Sequence, residues 1–393
     1  MTQLNKKVSA IIILFAALLL SLQSKAQKVD TISTFSITGY LDAYYAYYSD
    51  SVGPGNFQKF PTVSPRSNNP SLNIAQLSFQ YNAEKIRGAA VFHFGDIAAA
   101  TWAPAPYNNI MEAHVGFKVC RMLWIDAGFF RTHFGTEFLL PVENIASSLT
   151  IGTFYEQLYQ SGIRLNFTPI KELEINLFLT NGYNTFVDNN NKKSLGMAVT
   201  YTIDNNASIG YTNYTGDDTP PGKINNHLRV QQNLFFNFQR NRIKLQVGGD
   251  FCLQQNSDLA TGSETASMYS ALATFRYQVA KHCAVYARGE VFSDPDGFMS
   301  TIIKDYAGNQ TGYKVWGITA GAEYKPTENS YIRIEGRRLQ MDQDQYIFTH
   351  DGLLYNYRYE VMINAGVTFD LLKNIRTRIN GDSQQPGSGA VEE

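Results

Sequence analysis

The sequence predicts an all-β protein, a closed antiparallel barrel of about sixteen strands that crosses a membrane. Three observations carry this reading. Hydrophobicity alternates with period two from Phe35 to Phe369, the period of a strand with one apolar and one polar face. The alternating segments mostly run ten to fourteen residues, about twice the usual length of a soluble strand. A strand tilted across a bilayer needs about nine to eleven. Finally, the connections alternate strictly between short and long, as in barrels with tight turns on the periplasmic rim and longer loops outside.

Sixteen segments satisfy the period: 35–48, 71–83, 86–98, 109–119, 122–131, 156–167, 171–183, 194–203, 206–215, 226–239, 242–255, 266–279, 282–293, 312–325, 329–341 and 356–370. The first sets Leu41, Ala43, Tyr45 and Tyr47 against Tyr40, Asp42 and Tyr44, and the eleventh sets Ile243, Leu245, Val247 and Phe251 against Lys244, Gln246 and Asp250. Strands expected to descend toward the periplasm end in an aromatic on the apolar parity: Tyr81, Phe117, Phe167, Tyr201, Phe238, Tyr277, Tyr324 and Phe369. Recurrence at one height is the mark of an interfacial girdle, where an amphipathic ring is half in lipid. Tyr45, Tyr47, Trp102, Tyr107, Tyr346, Tyr355, Tyr357 and Tyr359 are the candidates for the upper girdle.

Composition agrees. Of 393 residues 17% are charged and 13% aromatic, where a soluble protein carries about 25% charge. The near-neutral balance of 33 Lys+Arg against 34 Asp+Glu argues against a nucleic-acid partner. The leader has the form of a cleaved signal peptide over 1–26: Lys6 and Lys7, an apolar core Val8 to Leu22, then Ser24-Lys25-Ala26. Removing Lys6, Lys7 and Lys25 would take the net charge from −1 to −1 − 3 = −4. The barrel is expected over 27–372, with 373–393 as a flexible periplasmic tail. Membrane lipid and small hydrophilic solutes are the expected partners, with a homo-oligomer left open, in the outer membrane of a Gram-negative bacterium. Cys120, Cys252 and Cys283 show neither metal spacing nor a disulfide framework.

With the apolar parity outward, the inner face carries Lys118, Arg164, Arg229, Lys244, Arg276, Arg288, Arg333, Arg337 and Arg358 against Asp42, Glu112, Asp126, Glu174, Asp250, Glu290, Glu323, Glu335 and Glu360. These are the expected pore-lining residues. Arg229, Arg276, Arg288, Arg333, Arg337 and Arg358 fall in the last seven strands, so one wall bears an arginine array able to orient anionic solutes. Local pairing, as in Arg288/Glu290 and Arg333/Glu335/Arg337, is the competing reading. The connection 132–155 is far more apolar than an outer loop should be, with Phe134, Phe138, Leu139, Leu140, Val142, Ile145, Leu149, Ile151 and Phe154. It is expected to fold inward as a constriction, setting Glu137 and Glu143 opposite the arginine wall.

No catalytic, cofactor or metal site is expected. His93, His114, His133, His227, His282 and His350 form no close-spaced pair, and no Ser stands in a nucleophile elbow. His133 and His350, near Glu137, Asp342 and Asp344, leave a rim acid–base pair open beside the simpler reading as hydrated surface histidines. Asp294-Pro295-Asp296-Gly297 and Asp217-Asp218 fall short of a calcium-ligand set.

The stretches Ile37–Tyr45, Met111–Phe117, Leu123-Trp124-Ile125-Asp126-Ala127-Gly128-Phe129-Phe130-Arg131-Thr132-His133-Phe134-Gly135, Tyr159–Leu165, Leu179–Asn184 and Ser194–Met197 resemble the OmpL-like β-barrel porins of the Bacteroidota. The resemblance implies an outer-membrane barrel with pore activity and carries over no site residue. Two functions follow as expectations. One is a water-filled passive diffusion channel for small hydrophilic solutes, constricted by loop 132–155. The other is an occluded barrel that binds a surface or assembly partner through its long outer loops.

Overall fold

The computed structural model describes residues 33–371 apart from positions 51, 54, 220, 221 and 223–225; the expected signal segment and tail lie outside the described residues. The chain forms β1 (Thr34–Tyr48), β2 (Ser71–Asn82), β3 (Ile86–Phe94), β4 (Ile110–Cys120), β5 (Leu123–Arg131), β6 (Tyr159–Ile170), β7 (Leu173–Thr180), β8 (Ser194–Thr202), β9 (Ala207–Asp217), β10 (Leu228–Arg240), β11 (Ile243–Gln254), β12 (Ala266–Ala280), β13 (Cys283–Ser293), β14 (Ile303–Lys304), β15 (Gln310–Thr311), β16 (Lys314–Tyr324), β17 (Ser330–Met341), β18 (Phe348–His350), β19 (Leu353–Tyr355) and β20 (Tyr357–Asp370). All but two small loop hairpins, β14–β15 and β18–β19, join one closed sixteen-stranded barrel. Closure is made by β1 on β20, in register from Thr38↔Asp370 to Tyr48↔Glu360. In lipid an unpaired backbone edge costs several kcal/mol per group, so the last strand must return to the first.

Period two becomes inside and outside. Along β20 the side chains of Tyr359, Val361, Ile363 and Val367 are exposed while Arg358, Glu360, Met362 and Asn364 are buried. The exposed face is apolar, as a lipid-facing wall must be. Among the described residues no helix is long and apolar enough to cross a membrane; the crossing is made by strands.

Where the wall bends, glycine is required. Gly128 on β5 faces Gly162 on β6, both with positive φ (140° and 153°). A Cβ at Gly128 would lie 2.2 Å from the Ala113 carbonyl oxygen, and one at Gly162 would lie 2.0 Å from that of Leu179. No L side chain fits either position.

Two expectations are corrected. The third strand ends at Phe94, not 98, because the chain turns into the barrel through a short helix, Asp96–Thr101. Asp96 is held there by Tyr44 Oη at 2.8 Å and Arg66 Nε at 3.1 Å. That turn carries Trp102 inside, where Nε1 donates to the Ile110 carbonyl at 2.8 Å and the ring packs 5.0 Å from Tyr159. Tyr107 packs on Phe129 at 5.8 Å. Neither belongs to the upper girdle; Tyr269 and Trp316, both exposed on the outer ends of their strands, stand at that height instead. At the lower girdle Tyr81, Phe117, Tyr201, Tyr277 and Tyr324 are exposed as expected.

The lipid band makes a depth-dependent prediction. Leu234, at the centre of β10, is 57% exposed, and Leu228 begins the same strand. Leu234→Arg is expected to lower stability in lipid vesicles by about 2–4 kcal/mol and Leu228→Arg by about 0–1. Urea titration of the vesicle-inserted protein measures both, and equal costs would contradict a bilayer band at this height.

Candidate functional site in the loop-filled lumen

The connection from β5 to β6, residues 132–158, lies inside the barrel. Its apolar side chains explain why: Phe134, Leu139, Leu140, Ile145, Leu149 and Ile151 are all buried, and each would cost about 1.5–3 kcal/mol if left in water. Inside, four of them join two apolar clusters. One gathers Leu139, Leu140, Leu149 and Leu158 with Trp102, Tyr159 and Phe186. The other seats Ile151 among Phe60, Met268, Phe292 and Leu339.

An inward loop brings backbone groups that need partners, and ionised wall residues supply them. Glu335 accepts from the amides of Ser147 at 2.9 Å and Ser148 at 3.2 Å, and from Tyr286 Oη at 2.9 Å. Glu290 accepts from the Ile151 amide at 2.8 Å. Arg333 donates to the carbonyls of Pro141 at 2.8 Å and Asn144 at 3.0 Å. Arg288 donates to the Ser148 carbonyl at 2.5 Å and to Glu137 at 2.8 Å. Glu137 also caps Thr150, the N-cap of the helical turn Ile151–Phe154, accepting from its amide and hydroxyl at 2.9 Å each.

The arginine array exists as a wall, and carboxylates compensate it. Arg337 contacts Glu290 at 2.6 Å and Glu360 at 3.4 Å, Arg358 contacts Glu360 at 2.6 Å and Asp50 at 3.2 Å, and Arg333 and Arg276 share Glu323 at 2.8 and 2.7 Å. Arg288 also lies 3.7 Å from Glu290. Arg229 differs: it donates to Gln254 at 2.8 Å and stacks on Tyr183 at 4.6 Å. The local triplet read from sequence is corrected, since Glu335 pairs with the loop and no arginine, while Arg333 and Arg337 reach across to other strands. Glu143 is corrected too. It bonds Arg131 at 2.7 Å, on the strand that leads into its own loop, and does not meet the array. The opposite wall is sparser: Arg87 grips Asp126 at 2.6 and 2.5 Å, Arg164 joins at 3.1 Å, and His114 lies 3.6 Å from Glu112.

The residues expected to line a pore all lie on the inner side, but in two states. Asp42, Asp126, Asp250, Arg288, Glu290, Arg333, Glu335, Arg337, Arg358 and Glu360 are sealed from water. Glu112, Arg164, Arg229 and Arg276 keep partial exposure. Loop 132–158 covers Arg288, Glu290, Arg333 and Glu335, whereas Tyr48, Phe60 and Phe348 pack over Arg358 and Arg87 and Arg164 close over Asp126. Beneath the loop a cavity of about 360 Å³, lined by Phe138, Glu143, Asp204, Asn237, Lys244 and Gln246, opens at the short-turn rim.

His133 is a further correction. Its ring is no rim group; it is stacked on Phe178 at 4.6 Å and hydrogen-bonded to the Asn213 carbonyl at 2.7 Å and Gln160 at 3.1 Å. Burial pushes its pKa down to about 4, which leaves it neutral at pH 7. His350 lies exposed, 3.2 Å from Asp351. Asp294 caps its own turn, accepting from Met299 and Ser300 at 2.9 and 2.7 Å. Among the described residues no three His, Cys, Asp or Glu gather as metal ligands.

Sequence reasoning placed Glu156 on a strand and missed its role. The strand begins only at Tyr159, and Glu156 is buried at the base of the loop. Asn233 Nδ2 stands between two carboxyls, 3.4 Å from Glu156 and 3.1 Å from Asp250, and Ser270 donates to Asp250 at 2.7 Å. No cation is paired with either carboxyl among the described residues.

A closed, loop-filled barrel with an apolar exterior defines a membrane-spanning β-barrel protein. The chain belongs to the family described as "Putative beta-barrel porin-2, OmpL-like", whose model matches residues 34–369. Solved structures share the fold. The outer membrane channel DcaP of Acinetobacter baumannii aligns with a TM-score of 0.59 and 12% identity, over 88% of this chain and 100% of that one. OmpF of Salmonella typhi, in complex with daunomycin, gives 0.55 and 12%, over 86% and 100%. In-vitro folded OmpT of Vibrio cholerae gives 0.53 and 11%, over 88% and 100%. No curated protein matches. Family and fold together make this an outer-membrane channel protein.

Burial, then the nearby Asp250 and Glu137, push the Glu156 carboxyl well above its ordinary 4.5. The docked loop therefore holds a proton that a released, hydrated loop would lose, so the contribution of Glu156 to docking is fully present below about pH 4.5 and is lost as pH rises. Protection of the 144–153 amides, taken as exchange relative to the intrinsic rate at each pH, is expected to fall as pH rises above about 5, and Glu156→Gln is expected to remove that dependence. An unchanged pH profile in the variant would refute the assignment.

Proposed function

We propose that the protein is an outer-membrane porin for small hydrophilic solutes in which loop 132–158 is the constriction and sets how much of the lumen conducts. The observation that carries this is the set of wall groups, Arg288, Glu290, Arg333 and Glu335, bonded to the loop's main chain. They fix the loop at mid-barrel and take most of the ionised wall out of contact with water. Arg164, Arg229, Arg276 and Glu112 are among the wall groups left to meet a solute, and the recess at Lys244 forms the short-turn end of the path. A second reading, an occluded barrel acting on a surface or assembly partner through its outer loops, is favoured by the apolar packing of Phe60, Tyr313 and Phe348 from separate outer loops.

Planar-bilayer recording separates the two. The wild-type protein is expected to give small ohmic steps. Pairing Arg288→Met with Glu335→Gln removes the loop's main anchors and strands the buried Glu137 carboxylate that Arg288 pairs, and is expected to raise step size several-fold. Breaking one buried pair costs about 3–5 kcal/mol, enough to shift loop docking but not the barrel, whose insertion is checked by heat-modifiable gel mobility. Inserted wild type and variant that both stay silent would refute the channel and leave the second reading.

A further inference from the structure

A lipid-facing wall should carry no charge between its girdles. Arg338 marks the outer edge of that band. On β17 the parity alternates through Ile332, Ile334 and Gly336 outward against Arg333, Glu335 and Arg337 inward, and Arg338 continues the outward row. Arg240, Lys314, Asp217 and Asp370 stand at strand ends; among the described strand residues Arg338 alone puts an outward charge away from a terminus. It lies on the long-loop side, one pair below the row Trp316–Gln340–Tyr357 and level with Ile318 and Tyr359.

The site around it is built. The guanidinium sits 5.4 Å from the ring centres of both Tyr357 and Tyr359, whose centroids are 5.5 Å apart. Its Nη2 donates to Gln340 Oε1 at 3.0 Å, and the Gln340 amide is itself anchored on the carbonyls of Met341 and Asn356, each at 3.2 Å. Five donors are available on a guanidinium; one is used, and no carboxylate pairs with Arg338 among the described residues. Beside the two tyrosines a cavity of about 260 Å³ opens at the outer rim, lined by Tyr47, Ser49, Phe348, His350, Tyr355, Tyr357 and Tyr359. Below it the exposed face of Ile318, Val361 and Ile363 is apolar.

We infer that this patch binds the phosphorylated headgroup of an outer-leaflet glycolipid. Arg338 meets the phosphate through a planar fork of donors, the tyrosine-lined rim cavity takes the sugar, and the Ile318–Val361–Ile363 face takes the acyl chain. Charge complementarity selects this occupant: the arginine is held beside two tyrosine rings and by Gln340, with its remaining donors unpaired among the described residues at the height of the outer aromatic girdle. A second copy of the chain would need an anionic side chain at the same height, and no outward acid stands there among the described strand residues.

The test uses the full-length detergent-solubilised protein and native mass spectrometry with phosphorylated lipid A, its dephosphorylated form, and phosphatidylglycerol. Expected are retained adducts with phosphorylated lipid A, at least tenfold fewer with the dephosphorylated form or with Arg338→Gln, and partial recovery with Arg338→Lys. Heat-modifiable mobility of Arg338→Gln should stay that of wild type, since the side chain is exposed. Equal lipid A binding by wild type and Arg338→Gln would overturn the site. Arg338-dependent binding of phosphatidylglycerol as strong as that of lipid A would overturn the glycolipid assignment. A change of oligomer size with unchanged lipid binding would overturn it in favour of a subunit contact.

Discussion

A guanidinium or carboxylate withdrawn from water costs several kcal/mol unless opposite charge and hydrogen bonds replace its hydration. Arg288, Arg337 and Arg358 are withdrawn almost completely, so the barrel interior is arranged around meeting that cost. Each arginine has at least one carboxylate within 4 Å; Arg337 and Arg358 direct their donors to carboxylates, while Arg288 and its neighbour Arg333 also donate to one loop's backbone. The dependence runs both ways. An apolar loop cannot cross a polar lumen with bare amides and carbonyls, and a charged wall cannot be covered by an apolar loop without partners. The Ser147–Ile151 segment satisfies both by presenting main chain to Glu335, Glu290 and Arg288 while its aliphatic neighbours pack away from the wall.

This mutual satisfaction explains why the loop rests where it does. Apolar burial alone is non-directional and would accept many placements of Leu139, Leu140 and Leu149. The bidentate character of Glu335, taking two successive amides, admits one. Glu137 adds a second constraint from within the loop, since it caps the helical turn and meets Arg288 with the same carboxylate. The weak point is at the base. There Glu156 and Asp250 face each other across Asn233 without a cation, so a proton takes the place that an arginine holds elsewhere.

The outer wall was legible in the sequence almost residue by residue because period two and lipid exposure are local consequences of strand geometry. The loop's inward fold was legible as well, since its apolar content has no place in an outer loop. What could not be read were the partners. Inside a tilted barrel a long side chain meets residues two strands away: Arg276 on β12 reaches Glu323 on β16, and Arg337 on β17 reaches Glu290 on β13. Such pairs have no signature in spacing, which is why Glu335 looked like an arginine partner and Glu143 like a member of the array. Trp102 was misplaced for a related reason. Its aromatic character suits a girdle, and only the inward turn at Asp96, fixed by Tyr44 and Arg66 from other segments, takes it inside.

Compensation also changes where the lumen's electric field can act. An arginine array with free charges would impose a transverse field across the middle of the barrel. Here Glu137, Glu290, Glu323, Glu360 and Asp50 lie within 4 Å of its members, and at such separations the paired fields cancel within a few ångströms of the wall. Positive charge remains uncancelled elsewhere. Arg87 and Arg164 share the single Asp126, Lys118 rests 5.5 Å over the Trp124 ring, and Lys244 stands opposite Arg276 in register. These groups lie toward the short-turn rim and retain contact with water. In the proposed porin, where loop 132–158 is the constriction, the charge that a small anion would sense lies on its short-turn side, with shape set by the loop and charge by the recess beneath it.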